Sequence, residues 1–503
     1  MTFRELLDGA EILAQSGNPT ISGIEYDSRR VEPGDVFVAM QGESSDGNKF
    51  IEKSIAAGAV AVVSDSPSET PREGVAWAQV PHGRRALARL SENFYKHPAR
   101  RLALTGITGT NGKSTTAFLV ESILLAAGRK SALVGTIEYH VAGKVLPAPH
   151  TTPEALELNQ ILAEAVGLGA TDAVMEVSSH ALAQQRVFGI PFEVAIFSNL
   201  TRDHLDYHRT MKEYFASKQA LFEGVGTEPP RVAVSNCDDE YGRKLAALSE
   251  KRGSEVLTYG WATGDFHAAK IEITSRGTRF DAVTPSGTIP LFSPLIGKVN
   301  VYNILAAVAA GHARGCSREV IAKGIAGLKR VPGRFERVDC DQPFTVVVDY
   351  AHTDDALRNL TALANEFAQQ AGQKGRVITV FGCGGDRDRA KRPLMGEAAG
   401  RGSDFVVLTS DNPRSEDPLA IMNDAMVGLQ RSGAKYKTER DRKTAIALAI
   451  REAGPGDIVL LAGKGHEKVQ VTREGAIPFD DVEVARQVLR EGGYDCETTG
   501  KPS

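Results

Sequence analysis

Residues 102–118 of the chain read LALTGITGTNGKSTTAF, a short apolar run followed by a glycine-rich turn and a helical pattern. Glycines let successive backbone N–H groups converge on phosphate oxygens, and the helix N-terminus favours the same anion. Lys113 can neutralise phosphate charge, and the Ser114 hydroxyl can hold magnesium. We therefore predict a phosphate-binding loop, although five residues rather than the usual four separate Gly106 from Gly112. A glycine-rich turn with an incidental lysine is the alternative.

Short apolar runs that end in small or polar residues continue on both sides of this loop, as expected for buried parallel strands. Two clusters of such runs are predicted as strands, at 102–106, 132–135, 173–177, 194–198 and 232–235, and at 345–349, 377–381, 405–410 and 458–462. Helical patterns lie between most of them, with examples at 115–127, 303–313 and 361–371. The pattern predicts an α/β fold.

The chain of 503 residues suggests about three domains. The strands before residue 98 are shorter, such as 36–40 and 60–63, and no phosphate loop accompanies them. Pro332 and Gly333 interrupt the helix and strand patterns before the second strand cluster. We place the domains at 1–97, 98–333 and 334–503, with a frayed polar tail from about residue 492.

Composition excludes several classes of protein. The chain has 42% hydrophobic and 24% charged residues and a formal net charge of -4, without the basic stripe of a nucleic-acid binder. No segment has the length and apolarity of a membrane span or signal peptide. The odd number of scattered cysteines argues against a disulfide framework or zinc knuckle; they are Cys237, Cys316, Cys340, Cys383 and Cys496. We expect a cytoplasmic monomer.

The form GxxGTNGKST resembles the Mur ligases and the related folylpolyglutamate synthases, and further matching motifs follow in order. They occupy residues 27–29, 46–47, 151–153, 176–180, 184–186, 199–208, 218, 297–303, 333–334, 349–352, 382–388, 411–414 and 463–467. One departure is Asp354, where the family commonly has proline. The motifs GCGGDRD, DNPR and GKGHE together resemble the branch of the family that adds the third peptide residue.

The resemblance implies three α/β domains: an N-terminal UDP-binding domain, a central P-loop ATPase-type domain with a mostly parallel sheet, and a C-terminal Rossmann-like domain that binds the amino acid. It implies ATP-dependent addition of meso-2,6-diaminopimelate to UDP-N-acetylmuramoyl-L-alanyl-D-glutamate in peptidoglycan precursor synthesis. Joining a carboxylate to an amine is uphill in water, so the acid must first become an acyl phosphate, with release of ADP and phosphate.

By the same resemblance, ATP would be bound by Gly109, Thr110, Asn111, Gly112, Lys113, Ser114, Thr115, Asn300, Arg334 and Asp349, with His352 nearby. The catalytic group would be Lys113, Glu176, His204 and Lys218, and Mg²⁺ would be held by Ser114, Glu176, His204 and Lys218 as a carbamate. Domain closure over ATP is implied. Three alternatives remain: a solvated helix lysine at 218, structural histidines, or a zinc pair formed by His204 and His208.

The residues that would bind the UDP-linked precursor are Tyr26, Ser28, Glu43, Ser44, Ser45, Thr151, Thr152, Ser178, Gln184 and Arg186. For the hydroxyl residues, ordinary capping is the alternative. Diaminopimelate would be bound by Arg387, Asp411, Asn412, Pro413, Arg414, Gly463 and Glu467. Its distal carboxylate needs a cation, which Arg414 can supply, whereas Glu467 can face an ammonium group. A structural salt bridge is the alternative for Arg414.

Other functions remain open at this stage. A lysine-adding ligase departs from DNPR, and a folylpolyglutamate synthase lacks the UDP-type N-terminal segment. A catalytically silent nucleotide-binding regulator would usually have lost a phosphate or metal group that is intact here. A P-loop motor would need an acidic Walker B residue at the spacing that motors use, and the sequence shows no convincing one.

Overall fold

The computed structural model describes residues 1–42, 45–67, 74–370 and 375–496. Within these ranges the chain forms three large sheets, one after another, each covered by helices. The fold class expected from the sequence, three successive α/β units, is confirmed. Glu43 and Ser44, which we expected at the UDP-linked precursor, lie outside the described residues.

The first sheet has the strand order β1-β5-β4-β3-β2, parallel except for β1. Its elements are α1 (Phe3–Leu6), β1 (Ala14–Ser16), β2 (Gly23–Glu25), β3 (Asp35–Ala39), α2 (Ile51–Ala56), β4 (Ala61–Ser64), β5 (Ala76–Gln79) and α3 (Gly83–Phe94). Short 3₁₀ turns at Gly47–Phe50 and Pro98–Arg101 precede α2 and the next sheet.

The second sheet has eleven strands, in the order β16-β15-β14-β13-β12-β11-β6-β10-β7-β8-β9. Its strands are β6 (Ala103–Thr108), β7 (Ser131–Val134), β8 (Glu138–Val141), β9 (Lys144–Pro147), β10 (Asp172–Glu176), β11 (Phe192–Phe197), β12 (Val232–Asn236), β13 (Glu255–Gly260), β14 (Phe266–Thr274), β15 (Gly277–Thr284) and β16 (Gly287–Ser293). Its helices are α4 (Lys113–Ala126), α5 (Ala155–Gly167), α6 (Ser179–Ala183), α7 (Leu205–His208), α8 (Met211–Glu223), α9 (Glu240–Lys251), α10 (Lys298–Ala313) and α11 (Arg318–Gly327).

The third sheet has the order β17-β18-β22-β19-β20-β21, parallel except for β17. Its strands are β17 (Glu336–Val338), β18 (Thr345–Asp349), β19 (Val377–Phe381), β20 (Phe405–Leu408), β21 (Tyr436–Thr438) and β22 (Ile458–Ala462), with a separate hairpin of β23 (Val469–Thr472) and β24 (Gly475–Pro478). Its helices are α12 (Asp354–Gln370), α13 (Lys391–Gly402), α14 (Pro418–Ser432), α15 (Arg442–Glu452) and α16 (Asp481–Glu491).

The core of the second sheet explains why its strands read as continuous apolar runs. Every residue of β10 and β12 is buried, because helices cover both faces. One face packs against α4, α10 and α11, around Ile123 and Ile304, and the other against α5 and α8, around Leu162 and Phe222. The charged residues of these two strands, Asp172 and Glu176, lie at the two ends of β10.

The nine strands predicted in the two clusters are all present, with ends that differ by up to two residues, and those expected at 36–40 and 60–63 correspond to β3 and β4. The helix expected at 361–371 begins earlier, at Asp354, and its last expected residue lies outside the described residues. Asp354 opens this helix, a position that tolerates proline and favours a carboxylate near the helix dipole. The departure from the family pattern therefore leaves the helix start intact.

One expectation from the scattered cysteines is wrong, because two of them are bonded to each other near the C-terminus. Cys496 is bonded to Cys340 across a sequence separation of 156, and Tyr494 packs edge-on against Phe344. The scattered cysteines did not indicate this pair, because only the folded third sheet brings the β17–β18 segment beside the end of α16. Tyr494 and Cys496 thus have packing partners, whereas residues 492, 493 and 495 are exposed, and 497–503 lie outside the described residues.

No helix in the part of the chain that the structure describes is long and apolar enough to cross a membrane.

A half-buried histidine joins α4 to β8 of the second sheet. His140 Nδ1 lies 2.6 Å from Glu121 Oε2, and Nε2 lies 3.0 Å from Glu138 Oε1. Burial alone would lower the pKa of His140, but the two carboxylates raise it to about 9. The imidazolium form is thus favoured in the folded protein.

We predict that His140 stabilises the second domain fully below pH ~6.5, its unfolded pKa, and that this contribution is lost as pH rises through about 9. Because the ring is partly solvated, we expect a loss of about 1–2 kcal/mol. Urea unfolding can be followed by Trp261 fluorescence in a Trp77→Phe background, which removes the other tryptophan. In that background His140→Gln should give a flatter pH profile; identical profiles for both proteins would contradict the assignment.

Candidate active site

The glycine-rich loop between β6 and α4 adopts a conformation that requires glycine. Gly109 has φ +147° and Gly112 has φ +87°. A Cβ atom at Gly109 would lie 1.9 Å from Ser198 Oγ, and one at Gly112 would lie 2.4 Å from Asn303 Oδ1. Any side chain would therefore force the loop away from its neighbours.

The parallel neighbour of β6 fixes the same loop. Beyond the end of β11, the Asn199 carbonyl accepts from Thr110 N at 2.8 Å, and its side-chain oxygen accepts from Asn111 N at 3.0 Å. Ser198 Oγ donates to the Asn111 carbonyl at 2.6 Å. Lys113 Nζ bends back to the carbonyl oxygens of Gly109 and Thr110, at 3.1 and 2.9 Å. The loop is thus preformed and carries an ammonium group within it.

Glu176 ends β10 beside this loop and is 1% exposed. Its Oε1 accepts from Thr136 N at 2.7 Å, and its Oε2 accepts from Thr136 Oγ1 at 3.0 Å. The same hydroxyl lies 3.0 Å from Thr151 Oγ1. Thr136, which the sequence analysis missed, therefore links the predicted metal ligand to a residue predicted to meet the precursor.

Lys218 is buried in α8, so the alternative of a solvated helix lysine is wrong. Its Nζ donates to the Gly109 carbonyl at 2.8 Å and lies 4.6 Å from the centre of the Tyr214 ring. Burial, with the nearby ammonium of Lys113, holds the pKa of Lys218 well below its usual value. Burial also lowers the pKa of Lys113. The lowered pKa of Lys218 favours its uncharged amine, which is the form that reacts with carbon dioxide.

His204 lies just before α7 in the left-handed conformation, with φ +54°. Burial lowers its pKa to about 3, against the opposing effect of Asp203, whose Oδ2 lies 3.4 Å from His204 Nε2. A neutral imidazole can act as a metal ligand. Within the described ranges, no group of three or more His, Cys, Asp or Glu side chains is arranged to hold a metal, so the zinc alternative has no third ligand there.

The third domain closes this region from the other side. Arg334 donates to Ser114 Oγ at 3.2 Å, and its guanidinium lies 4.6 Å from the centre of the Tyr350 ring. Asp349 Oδ2 accepts from Phe335 N at 2.7 Å. A cavity of about 270 Å³ lies between the two domains, and its lining includes Lys113, Glu176, His204, Asn300, Arg334 and Asp349.

The residues expected at the precursor form a connected group in the second domain. Arg186 donates to the Thr152 carbonyl at 2.8 Å and to Gln184 Oε1 at 2.7 Å, and it pairs with Glu154 at 3.0 Å. The Ser178 hydroxyl caps α6 by accepting from Ala181 N, in accord with the capping alternative. Of the residues expected at the precursor, Thr151 and Ser178 line the cavity together with Glu176.

In the first domain, Tyr26 donates to Glu157 Oε1 on α5 at 2.9 Å, which joins the first two domains. Ser28 is buried, and Ser45 is exposed. The two serines expected at the UDP portion therefore differ in their exposure to solvent.

The DNPR segment forms a separate cluster at the carboxyl ends of β19, β20 and β22. Arg414 has φ +53°, and its guanidinium donates to the Gly385 carbonyl at 2.7 Å. Burial and the neighbouring Arg387 lower the pKa of Arg414. Neither arginine forms an ion pair with any described residue, which leaves the salt-bridge alternative unsupported there. Two adjacent cations without carboxylate partners favour an anionic ligand.

A buried lysine that the sequence analysis missed organises the opposite side of this cluster. Lys464 is 0% exposed, and its Nζ donates to Asn412 Oδ1 at 3.1 Å, Glu467 Oε2 at 3.0 Å and the Val469 carbonyl at 2.7 Å. Asn412 Nδ2 also donates to Glu467 Oε2, at 2.7 Å. A Cβ atom at Gly463 would lie 2.6 Å from Asp411 Oδ2. The sequence feature that could have indicated Lys464 is its position inside the GKGHE motif at 463–467.

Comparison with known proteins places these features in a family. Residues 20–95 match the model of the Mur ligase family catalytic domain, 107–311 the Mur ligase middle domain, and 333–465 the Mur ligase glutamate ligase domain. A relative from Solibacter usitatus is 56% identical over 475 residues, 94% of each chain, and one from Geobacter metallireducens is 48% identical over 94% of each. Both are named UDP-N-acetylmuramoyl-L-alanyl-D-glutamate--2,6-diaminopimelate ligase.

A solved structure of a UDP-N-acetylmuramoyl-L-alanyl-D-glutamate--2,6-diaminopimelate ligase is 34% identical. The comparison covers 98% of this chain and 99% of that one, with a TM-score of 0.67. The likeness therefore spans all three sheets rather than the phosphate loop alone. With its glycine-rich loop, its interdomain cavity and these near full-length relatives, the chain belongs to the Mur ligase family.

Proposed function

We propose that this protein is the ATP-dependent ligase that adds meso-2,6-diaminopimelate to UDP-N-acetylmuramoyl-L-alanyl-D-glutamate in peptidoglycan precursor synthesis. The observation that carries the proposal is the cavity between the second and third domains, where the phosphate loop and Glu176 face Arg334 and Asp349. The names of the relatives that are 56% and 48% identical support the same reaction. We further propose that it acts in the cytoplasm as a monomer.

The reaction begins with transfer of the γ-phosphoryl group of ATP to the precursor carboxylate, which gives an acyl phosphate and ADP. The amine of diaminopimelate then attacks the acyl carbon, forms the peptide bond and displaces phosphate. Backbone amides of the loop and Lys113 would hold the phosphates, whereas Arg334 would approach from the third domain. Closure of this domain would exclude water, which otherwise hydrolyses the acyl phosphate.

The oxygen groups beside the loop fit Mg²⁺, which prefers oxygen ligands. Ser114 and Glu176 would hold one ion. His204 and a carbamate on Lys218 would hold a second, and the depressed pKa of that lysine supports carbamate formation. When bound, Mg²⁺ would neutralise phosphate charge.

Charge in the DNPR cluster supports diaminopimelate over lysine as the incoming amino acid. Arg414 and Arg387 would face its distal carboxylate, which lysine lacks. Glu467, held through its Oε2 by Lys464 and Asn412, would face an ammonium group. The UDP portion would contact Tyr26, Ser28 and Ser45, and the muramoyl dipeptide would contact Thr151, Thr152, Ser178, Gln184 and Arg186.

The proposed reaction can be tested by phosphate release from ATP by the purified protein. We expect release only when the UDP-linked dipeptide and diaminopimelate are both present, with an equal amount of UDP-linked tripeptide formed. Release that is independent of the amino acid, or an equal rate with a pteroyl glutamate as acceptor, would overturn the proposal.

Arg414→Ala should reduce kcat/KM for diaminopimelate by about 10- to 100-fold, because a charged hydrogen-bond partner of the distal carboxylate is lost. The kcat/KM for lysine, which lacks the distal carboxylate, should change little. Arg337→Ala provides a control in the same domain, since Arg337 is exposed and pairs with Asp339. Equal losses for both amino acids would contradict the pocket assignment.

A further inference from the structure

A single loop of the third domain, residues 382–390 between β19 and α13, reaches two sites. Arg387 within it belongs to the proposed diaminopimelate cluster. The next residue, Asp388, lies 3.4 Å from Arg202 of the second domain, and Lys391, the first residue of α13, lies 3.3 Å from Asp203. Arg202 and Asp203 immediately precede His204, so the loop physically connects the amino-acid cluster to the phosphoryl-transfer region.

The two interdomain ion pairs differ in burial. The side chains of Lys391 and Asp203 are 9% and 5% exposed, whereas Arg202 of the other pair is 42% exposed. Each buried partner comes from a different domain. Separation of the domains would therefore expose both charges to water together.

Asp203 connects Lys391 to the histidine beside it. Its Oδ1 accepts from the His204 backbone N at 2.9 Å and from Lys391 Nζ at 3.3 Å. Its Oδ2 lies 3.4 Å from His204 Nε2 and 3.7 Å from His352 Nε2. One carboxylate thus contacts both the backbone and the ring of His204, and two residues of the third domain.

Burial of an ion pair adds little net stability, because desolvation offsets the attraction, but it favours one arrangement of the groups that carry the charges. We propose that Lys391 is a positioning residue for the ligation step. Its ion pair with Asp203 fixes the position of the amino-acid-binding loop, residues 382–390, relative to His204. The inference rests on the proposed function, since the position of this loop affects the reaction only if the loop holds the attacking amino acid.

The expected consequence is kinetic. Arg387 is four residues before Lys391, so a shift of this loop would displace the bound amine from the acyl carbon. A misplacement of about 1 Å can cost about 10²-fold in rate. Contacts of ATP with the loop at 109–115 would remain, because they lie within the second domain.

The test is Lys391→Met, which removes the charge but keeps a long side chain. We expect kcat with the UDP-linked dipeptide and diaminopimelate to fall by about 10²-fold, with the ATP dissociation constant within about twofold of the wild-type value. Lys391→Arg should recover part of kcat. Lys244→Met is the matched control, since Lys244 is an exposed lysine of α9 that also pairs with a carboxylate, Glu240, and it should behave as wild type.

A double-mutant cycle tests whether Lys391 acts through its contact with Asp203. Asp203→Asn and Lys391→Met should combine with less than the product of their separate losses in kcat, because both remove the same contact. Multiplicative losses, or wild-type kcat in Lys391→Met, would overturn the inference. If Lys391→Met does not fold, Lys391→Gln replaces it in the same cycle. Absence of ligation by the wild-type protein would instead reject the proposed function.

Discussion

Two lysines within reach of one glycine-rich loop impose the main constraint on this structure. Lys113 and the buried Lys218 donate to carbonyl oxygens of the loop, both of them to Gly109, and neither forms an ion pair with a described residue. An amino group that is held away from water is costly to charge unless an anion accompanies it. A triphosphate at the loop and a carbamate on Lys218 would supply that negative charge. The two lysines would therefore be unfavourable in the free protein but would strengthen the binding of its substrates.

The sheets place the reacting groups where this constraint can be met. The phosphate loop, Glu176 and Asn199 follow the carboxyl ends of adjacent strands in the second sheet, and the amino-acid cluster follows those of the third. Neither set alone can join an acid to an amine. Two interdomain contacts, Arg334 with Ser114 and Lys391 with Asp203, join the domains beside the cavity that contains the phosphate loop.

Much of this architecture could be predicted from the sequence, because buried parallel strands read as continuous apolar runs and glycine spacing marks the phosphate loop. The antiparallel β14–β16 segment was not predicted, since its strands alternate buried and exposed residues without such runs. The burial of Lys218 contradicted its local amphipathic pattern, and only the family resemblance pointed elsewhere. The Cys340–Cys496 bond and the Lys391–Asp203 pair join residues far apart in sequence, and local patterns carry no information on such contacts.

The most direct measurement is a crystal structure of the protein with a non-hydrolysable ATP analogue. The account predicts phosphate oxygens within hydrogen-bond distance of the backbone amides of 109–115, with Lys113 Nζ turned from the Gly109 and Thr110 carbonyl oxygens to the β- and γ-phosphates. A triphosphate bound away from this loop, or a Lys113 side chain that keeps both carbonyl contacts when the nucleotide is present, would contradict it.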